Sequence, residues 1–210
     1  KRITRHLNQR SEMLSGISHD LRTPLTRIKL QLTFIKDKNI EKKLSYDVQD
    51  MEKMLNEYLQ FASTRSNEKT ETFDMTDLIE NTIKKYENKN ITSKLTKAIH
   101  MNGRKNLIQR CLNNLIDNSI KYSNNIDIQL TKSNNYLSIT IDDDGPGIAK
   151  EEYQNVFKPF YKIDQSRSES KSSVGLGMSI ASDVVRSHGG NIILDKSPQN
   201  GLRIKVFFPF

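Results

Sequence analysis

Between Leu14 and Ala62 apolar side chains recur with an average period of 3.5 residues, and this confines the first third of the chain to one kind of structure. Leu14, Ile17, Leu21, Leu25, Ile28, Leu32 and Ile35 step by 3, 4, 4, 3, 4 and 3. Leu44, Val48, Met51, Leu55, Tyr58 and Ala62 then step by 4, 3, 4, 3 and 4. Each set is the apolar seam of a helix. The break at Asp37-Lys38-Asn39 is short, which makes the two helices antiparallel neighbours. Two such helices bury too little by themselves, so a homodimer that completes a four-helix bundle is expected. The phase slips once, between Leu21 and Leu25, where Pro24 removes a backbone donor and a local kink is expected.

After residue 66 the pattern changes. The polar stretch Thr64–Thr72 reads as a linker, with the boundary set at 67–72 and a second domain over 73–210. Helices are predicted over Thr76–Asn88, Asn106–Tyr122 and Ser179–His188, the last ended by Gly189-Gly190. Ile126–Thr131 and Tyr136–Ile141 alternate like strands around Ser133-Asn134-Asn135, and Asn191–Asp195 and Leu202–Phe208 read as a closing pair. The fold class is α+β: a helical hairpin, then helices layered over one sheet. The polar stretch from Phe160 to Gly175 has no periodicity, which in a compact domain marks a functional lid or disorder.

Composition removes several functions. No apolar run approaches the ~20 residues that cross a bilayer, and no signal-peptide core is present. Cys111 is the only cysteine, so an internal disulfide and a cysteine-rich metal site are both out of reach, and a reducing compartment is natural. Its neighbours Ile108, Leu112 and Leu115 make it a small core residue. The net charge of +8 is concentrated early: residues 1–66 carry 13 basic and 8 acidic side chains. No basic stripe interleaved with aromatics and no zinc-finger spacing accompanies it, so no nucleic-acid partner is expected. The cluster Lys1, Arg2, Arg5 and Arg10 fits either a solvated helix end or the cytoplasmic side of a membrane span.

Four constellations carry chemistry. His19, in Ser18-His19-Asp20-Leu21-Arg22-Thr23-Pro24, points roughly 140–160° away from the first seam and so faces solvent. Alone it would be an ordinary surface histidine. Asp20, however, can hold one ring nitrogen and leave the other lone pair free to attack, and Thr23 lies one turn along the same face. On the 106–122 helix, Asn114, Asn118, Lys121 and Tyr122 share the face opposite the apolar stripe. That face is either solvated surface or a site in which amide oxygens meet a hard cation and an ammonium meets phosphate. Asp142-Asp143-Asp144-Gly145-Pro146-Gly147-Ile148 ends a strand in a tight turn that brings backbone close to a ligand, with Asp143 placed to accept from an amino group. Its spacing is not that of a calcium loop. Val174-Gly175-Leu176-Gly177-Met178 enters the last helix, where glycine amides can cradle an anion; without G-K-[ST] it is not a P-loop.

Ser18–Leu25 resembles the H-box of sensor histidine kinases, closest to that of the osmosensor EnvZ type, and the other constellations fall in the family's order. Asn114–Tyr122 is similar to its N-box, Asp142–Ile148 to its G1 box, Phe157-Lys158-Pro159-Phe160-Tyr161 to its F-box, and Gly175–Met178 to the second half of its G2 box. The resemblance covers residues ~12–205 and implies a Bergerat ATP-binding sandwich, shared with Hsp90, gyrase and MutL, behind a dimerisation and histidine-phosphotransfer hairpin. It implies ATP as substrate, Mg²⁺ held by Asn118, and an adenine contact at Asp143. Phe157 and Phe160 would flank the lid, with Lys162 and Arg167 as its basic residues facing the phosphates. His19 would be the phosphoacceptor, Asp20 its general base, and a response-regulator aspartate the next acceptor. Thr23 would serve a phosphatase activity, or be no more than a helix residue tolerated before Pro24. The chain would be the cytoplasmic portion of an inner-membrane protein whose sensor region lies outside this sequence. Ser173 and Val174 depart from the family's Gly and Thr; they are what a catalytically silent ATP-binding scaffold would rest on. A GHKL-type ATPase would instead need a carboxylate base on the N-box helix, for which Asp117 is the nearby candidate. His188, in His188-Gly189-Gly190, is expected at a helix end, and His6 and His100 have no expected role.

Overall fold

A computed structural model describes residues 21–62, 68–163 and 175–209, and the chain divides into two compact units. In the first, helix α1 covers 21–32 and α2 covers Lys38–Ala62. Asp37 starts α2: its carboxylate accepts from the amides of Asn39 at 2.9 Å and Ile40 at 3.2 Å. An aspartate there satisfies amides that a helix start leaves open. Lys38 and Asn39 therefore belong to the helix and not to the expected break, while Ile35 lies past the end of α1. The Lys29–Glu52 ion pair and an Arg22–Asn56 hydrogen bond of 3.4 Å hold the helices antiparallel. Of the expected seam, Leu32 and Val48 are buried, whereas Leu21, Ile28, Leu44 and Met51 are exposed. His19, Asp20, Leu14 and Ile17 lie outside the described residues, whereas the stretch from Leu21 to Leu25, where the kink is expected, is helical on both sides of Pro24.

The second unit opens with β1 (Glu71–Asp74), which takes in two residues assigned above to the linker. Asp74 caps α3 (Met75–Ile83) by accepting from the Thr76 amide at 2.7 Å, and a short 3-10 turn at Lys84–Tyr86 continues it. Then come β2 (Asn90–Leu95), β3 (His100–Gly103), α4 (Lys105–Tyr122), β4 (Asn125–Lys132), β5 (Tyr136–Asp143), α5 (Gly177–Ser187), β6 (Asn191–Lys196) and β7 (Leu202–Pro209). Strands β1 and β3 pair as a separate two-stranded ribbon, and the main sheet runs β2-β4-β5-β7-β6 with β2 parallel to β4 and the other pairs antiparallel.

Along β4, β5 and β7 burial alternates, so that Ile128, Leu130, Leu137, Ile139, Ile204, Val206 and Phe208 form the apolar floor. Alternation of this kind leaves one sheet face for the helices, and α3, α4 and α5 form the layer that packs with it, α4 against both neighbours. Cys111 is buried in this layer, its Sγ 3.7 Å from the Ala181 carbonyl oxygen. The four expected strands and three expected helices are present with ends shifted by at most a few residues. Strands β1, β2 and β3 were not anticipated. In β2 only Ile91 and Leu95 are even half-buried, because it is an edge strand with little apolar surface to announce it.

Candidate functional site

Helix α4 is the spine of the site. Leu107, Ile108, Cys111, Leu112, Leu115 and Ile116 fix its buried stripe, and that choice of stripe turns Asn114 and Asn118 outward to half-buried positions. Lys121 and Tyr122 are exposed at its end, the Lys121 ammonium lying 4.7 Å from the Tyr122 ring centre. Asn114 is next to the start of α5: a Cβ added at Gly177 would lie 3.8 Å from Asn114 Oδ1. The Asn114 Nδ2 is buried and lacks a hydrogen-bond partner. A buried donor of this kind costs free energy unless a ligand or water satisfies it.

Strand alternation points Asp142 and Asp143 to opposite faces of the sheet, and Asp144 lies past the end of β5. Asp142 pairs with Arg203 across β5 and β7 through two contacts of 2.7 Å, and this pairing raises the guanidinium's affinity for its proton. Asp144 leaves the strand and closes the turn between α4 and β4. It accepts from the Asn124 and Asn125 amides at 2.8 and 3.0 Å, and those bonds, Asn125 first, hold its carboxyl below the ordinary range. Asp143, only 3% exposed, faces inward. Its Oδ1 accepts from the Leu202 amide at 2.9 Å and the Gly145 amide at 3.0 Å. Burial raises its pKa, opposed by those two amides.

Two glycines make this approach possible. A Cβ at Gly145 would lie 2.8 Å from the Tyr122 carbonyl oxygen, so the turn after Asp143 abuts the end of α4. A Cβ at Gly201 would collide with the carbonyl oxygen and the Oδ1 of Asp143 and lie 2.6 Å from the Gly145 nitrogen. Gly201 was not singled out in the sequence; in Pro198-Gln199-Asn200-Gly201 it reads only as a turn before a strand. Gly147 (φ 69°) and Gly175 (φ 79°) adopt the left-handed backbone that a side chain would strain.

The structure thus gathers on α4 the residues Asn114, Asn118, Lys121 and Tyr122, the Asp143–Gly145 turn with Gly147 and Ile148 just beyond it, and Gly177 at the start of α5. Leu176 and Met178 are buried. Phe157 ends a 3-10 turn packed on α5, and Tyr161 donates its hydroxyl to Glu152 in the same segment. Phe160 is 55% exposed with a φ of 64°. Lys162 is half-buried, and Arg167, Ser173 and Val174 lie outside the described residues. Among the described residues no three His, Cys, Asp or Glu gather as metal ligands.

Residues 103–210 match the model of the histidine kinase-, DNA gyrase B- and HSP90-like ATPases, and residues 9–67 match that of the His Kinase A (phospho-acceptor) domain. The sensor histidine kinase GtrS of Pseudomonas aeruginosa is 30% identical over 211 residues, covering all of this chain and 44% of its own length. The sensor histidine kinase CpxA of Escherichia coli is 28% identical over 99% of this chain and 48% of its own, and the sensor protein RstB of Escherichia coli is 28% identical over 95% and 49%. The chain spans about half the length of these relatives. Among solved structures, the mycobacterial sensor histidine kinase MprB superposes with a TM-score of 0.58 at 25% identity over 67% of this chain and 97% of its own. Full-length ShkA in complex with AMPPNP shares the fold at a TM-score of 0.73 and 17% identity over 95% of this chain and 46% of its own. No helix among the described residues is long and apolar enough to cross a membrane.

Proposed function

The chain belongs to the histidine kinase-, DNA gyrase B- and HSP90-like ATPase family and has the make-up of a histidine kinase catalytic core; from this we propose that it phosphorylates itself on His19 at the expense of ATP and passes the phosphoryl group to an aspartate of a response regulator. The observation that carries the reading is Asp143: a buried carboxyl beside the polar face of α4, with both backbone amides on Oδ1. A buried polar group of that kind has a use when a ligand's amino group donates to it, so Oδ2 is the oxygen for adenine.

In the proposed site Asn114, Asn118, Lys121 and Tyr122 line the phosphates. Gly145, Gly147 and Ile148 shape the base pocket with Asp143, and Phe157, Phe160, Lys162 and Arg167 belong to the covering segment. Gly175, Leu176, Gly177 and Met178 bring backbone amides to the phosphates at the start of α5. Asn118, with Asn114 beside it, would hold Mg²⁺, which offsets phosphate charge when bound. The free His19 nitrogen attacks the γ-phosphorus; an N–P bond forms, the P–O bond to ADP breaks, and the imidazole proton passes to Asp20. Two copies present their hairpins to each other through the exposed seam. The whole protein would hold this part on the cytoplasmic side of the inner membrane. Thr23 would orient water in dephosphorylating the regulator, making the enzyme bifunctional.

One observation weighs against the ATPase alternative. Asp117, its candidate base, accepts the Tyr86 hydroxyl at 2.8 Å, and the phenol's pKa is raised by burial and by that carboxylate. Incubation with Mg²⁺ and radiolabelled ATP decides between the readings. The expected product is a label stable to alkali and lost in acid, absent in His19→Gln although that variant binds ATP normally. Label that persists in His19→Gln, or ATP binding with no label at all, would overturn the kinase assignment.

A further inference from the structure

Helix α4 begins without a cap of its own. Its N-cap position is Arg104, at φ −88° and ψ 94°, and a guanidinium has no acceptor to offer the first-turn amides. Two residues from distant parts of the sequence take those amides instead. Glu68 Oε1 accepts from Asn106 N at 2.7 Å, and His188 Nε2 accepts from Arg104 N at 3.1 Å. Asn106 is the second helical residue, where a capping acceptor ordinarily binds, and a carboxylate there also meets the positive end of the helix dipole. His188 is itself fixed. Its Nδ1 donates to the Val184 carbonyl at 2.8 Å, while the Arg104 guanidinium donates to the Ser187 carbonyl at 3.1 Å and to its hydroxyl. Space is tight around the joint, since a Cβ at Gly103 would lie 3.0 Å from Ile108 and 3.3 Å from the His188 ring.

Glu68 comes from the segment that follows the hairpin, and the helix it caps carries Asn114 and Asn118. Further along, α4 runs antiparallel to α5 from the Arg104–Ser187 contact through Cys111–Ala181 to Asn114–Gly177. A close-packed helix moves as a piece, so its first turn sets where the asparagines sit against Gly177 and Asp143.

We propose that Glu68 is a positioning residue for nucleotide binding: it supplies the cap that α4 lacks and gives the segment after the hairpin a direct hold on the nucleotide site. The inference rests on the reading that Asn114 and Asn118 face the phosphates of ATP. Its sign separates it from simple electrostatics, because removing a negative charge from an anion-binding domain strengthens binding unless the charge was holding the site in shape.

The test uses the full chain with Glu68→Ala and Glu68→Gln, titrated calorimetrically with Mg²⁺–ATP at a temperature where circular dichroism shows both folded, together with amide hydrogen exchange at Asn106. Glu68→Ala is expected to weaken binding roughly 3- to 10-fold and to speed Asn106 exchange by a similar factor or more, as loss of a cap would. Glu68→Gln keeps an acceptor oxygen and is expected to stay within about 2-fold of the parent. Equal or tighter binding in Glu68→Ala overturns the proposal, as does Asn106 exchange that does not change. A Glu68→Gln loss as large as that of alanine also overturns it, since the acceptor would then not be what matters. No binding of Mg²⁺–ATP by the unsubstituted chain would overturn the nucleotide reading and this proposal with it, an outcome told apart by the parent alone.

Discussion

The hairpin and the sheet-bearing unit draw on the same apolar residue types, but they finish their cores differently. In the second unit Leu115, Leu137, Ile139, Ile204 and Val184 are wholly enclosed by residues of the same chain. In the hairpin Leu32 and Val48 are covered, while Leu21 is left 46% and Met51 52% exposed on the seam. Contiguous exposed apolar surface on an amphipathic helix pair marks a face that another protein surface covers. A second copy of the hairpin, with the same 3.5-residue seam, fits that face by construction. Under the proposed function the contrast becomes a division of labour: the hairpin, its seam open to a partner, would carry the group to be modified, and the unit that closes on itself would handle the nucleotide.

The largest expected effect comes from attacking the open core. Val48→Asp puts a carboxylate where the hairpin buries its seam, and an unpaired buried charge costs several kcal/mol. Sedimentation equilibrium should show dimerisation weakened by roughly 100-fold or more. His19 labelling should fall with it, while Mg²⁺–ATP affinity measured by calorimetry stays within about 2-fold, the scatter expected of distant independent sites. Equal loss of nucleotide binding would break the comparison, because the second unit would then depend on the hairpin for its own shape.

A smaller effect, confined to the other unit, is expected of Gly201→Ala. The added methyl group meets backbone at Asp143 and Gly145, not the end of a pliable side chain, so both strands must shift. The cost should be about 1–3 kcal/mol in stability, read as a lower melting temperature, with nucleotide affinity falling at least 10-fold. Dimerisation should be unmoved. A variant that melts normally and still binds would show that the Asp143 turn tolerates movement the present geometry denies it.

How far all this was legible in the sequence follows the same division. The hairpin's helices announce themselves, because a seven-residue repeat persists for many turns; among the described residues their ends were misjudged at Ile35, past the end of α1, and where Asp37 caps α2 and draws Lys38 and Asn39 into the helix. The central strands β4, β5 and β7 were legible because each alternates against a buried face. Strands β1, β2 and β3 were not, being short or lying at an edge where few side chains are buried. Within the candidate site, residues whose type can do chemistry, Asn114, Asn118 and Asp143 among them, stand out in the sequence as candidates. Gly201 and Glu68 do not. A glycine's importance lies in what comes within reach of its missing Cβ, and a carboxylate's in which distant amide it meets, and neither leaves a trace in local spacing. The run Asp142-Asp143-Asp144 is intermediate: the cluster is visible, but which aspartate pairs with Arg203, which faces inward and which closes a turn depends on strand register.

The smallest effect sharpens the comparison from inside the closed core. Burial raises the pKa of Asp143 above its usual 3.8. A carboxyl whose folded-state pKa is raised contributes stability below its unfolded pKa, and that contribution is lost as pH rises through the folded value. Once ionised, the side chain therefore costs stability, which the amides of Leu202 and Gly145 only partly offset. Asp143→Asn keeps the shape and an Oδ1 to accept from both amides, and it removes the charge. Its melting temperature without nucleotide should rise by roughly 2–4 °C at pH 7, the shift that about 1 kcal/mol produces in a domain of this size. The gain should shrink as the pH is lowered toward the carboxylate range, because the parent then buries a neutral acid as well. Nucleotide affinity should move the other way and fall by roughly 30-fold or more, since the new amide presents a donor to the adenine amino group. Thermal melts at pH 7 and pH 5 with and without Mg²⁺–ATP measure both quantities. If Asp143→Asn lowers the melting temperature at pH 7, the carboxylate holds the β5–β7 junction together as a structural group, and its burial is no longer evidence of a ligand.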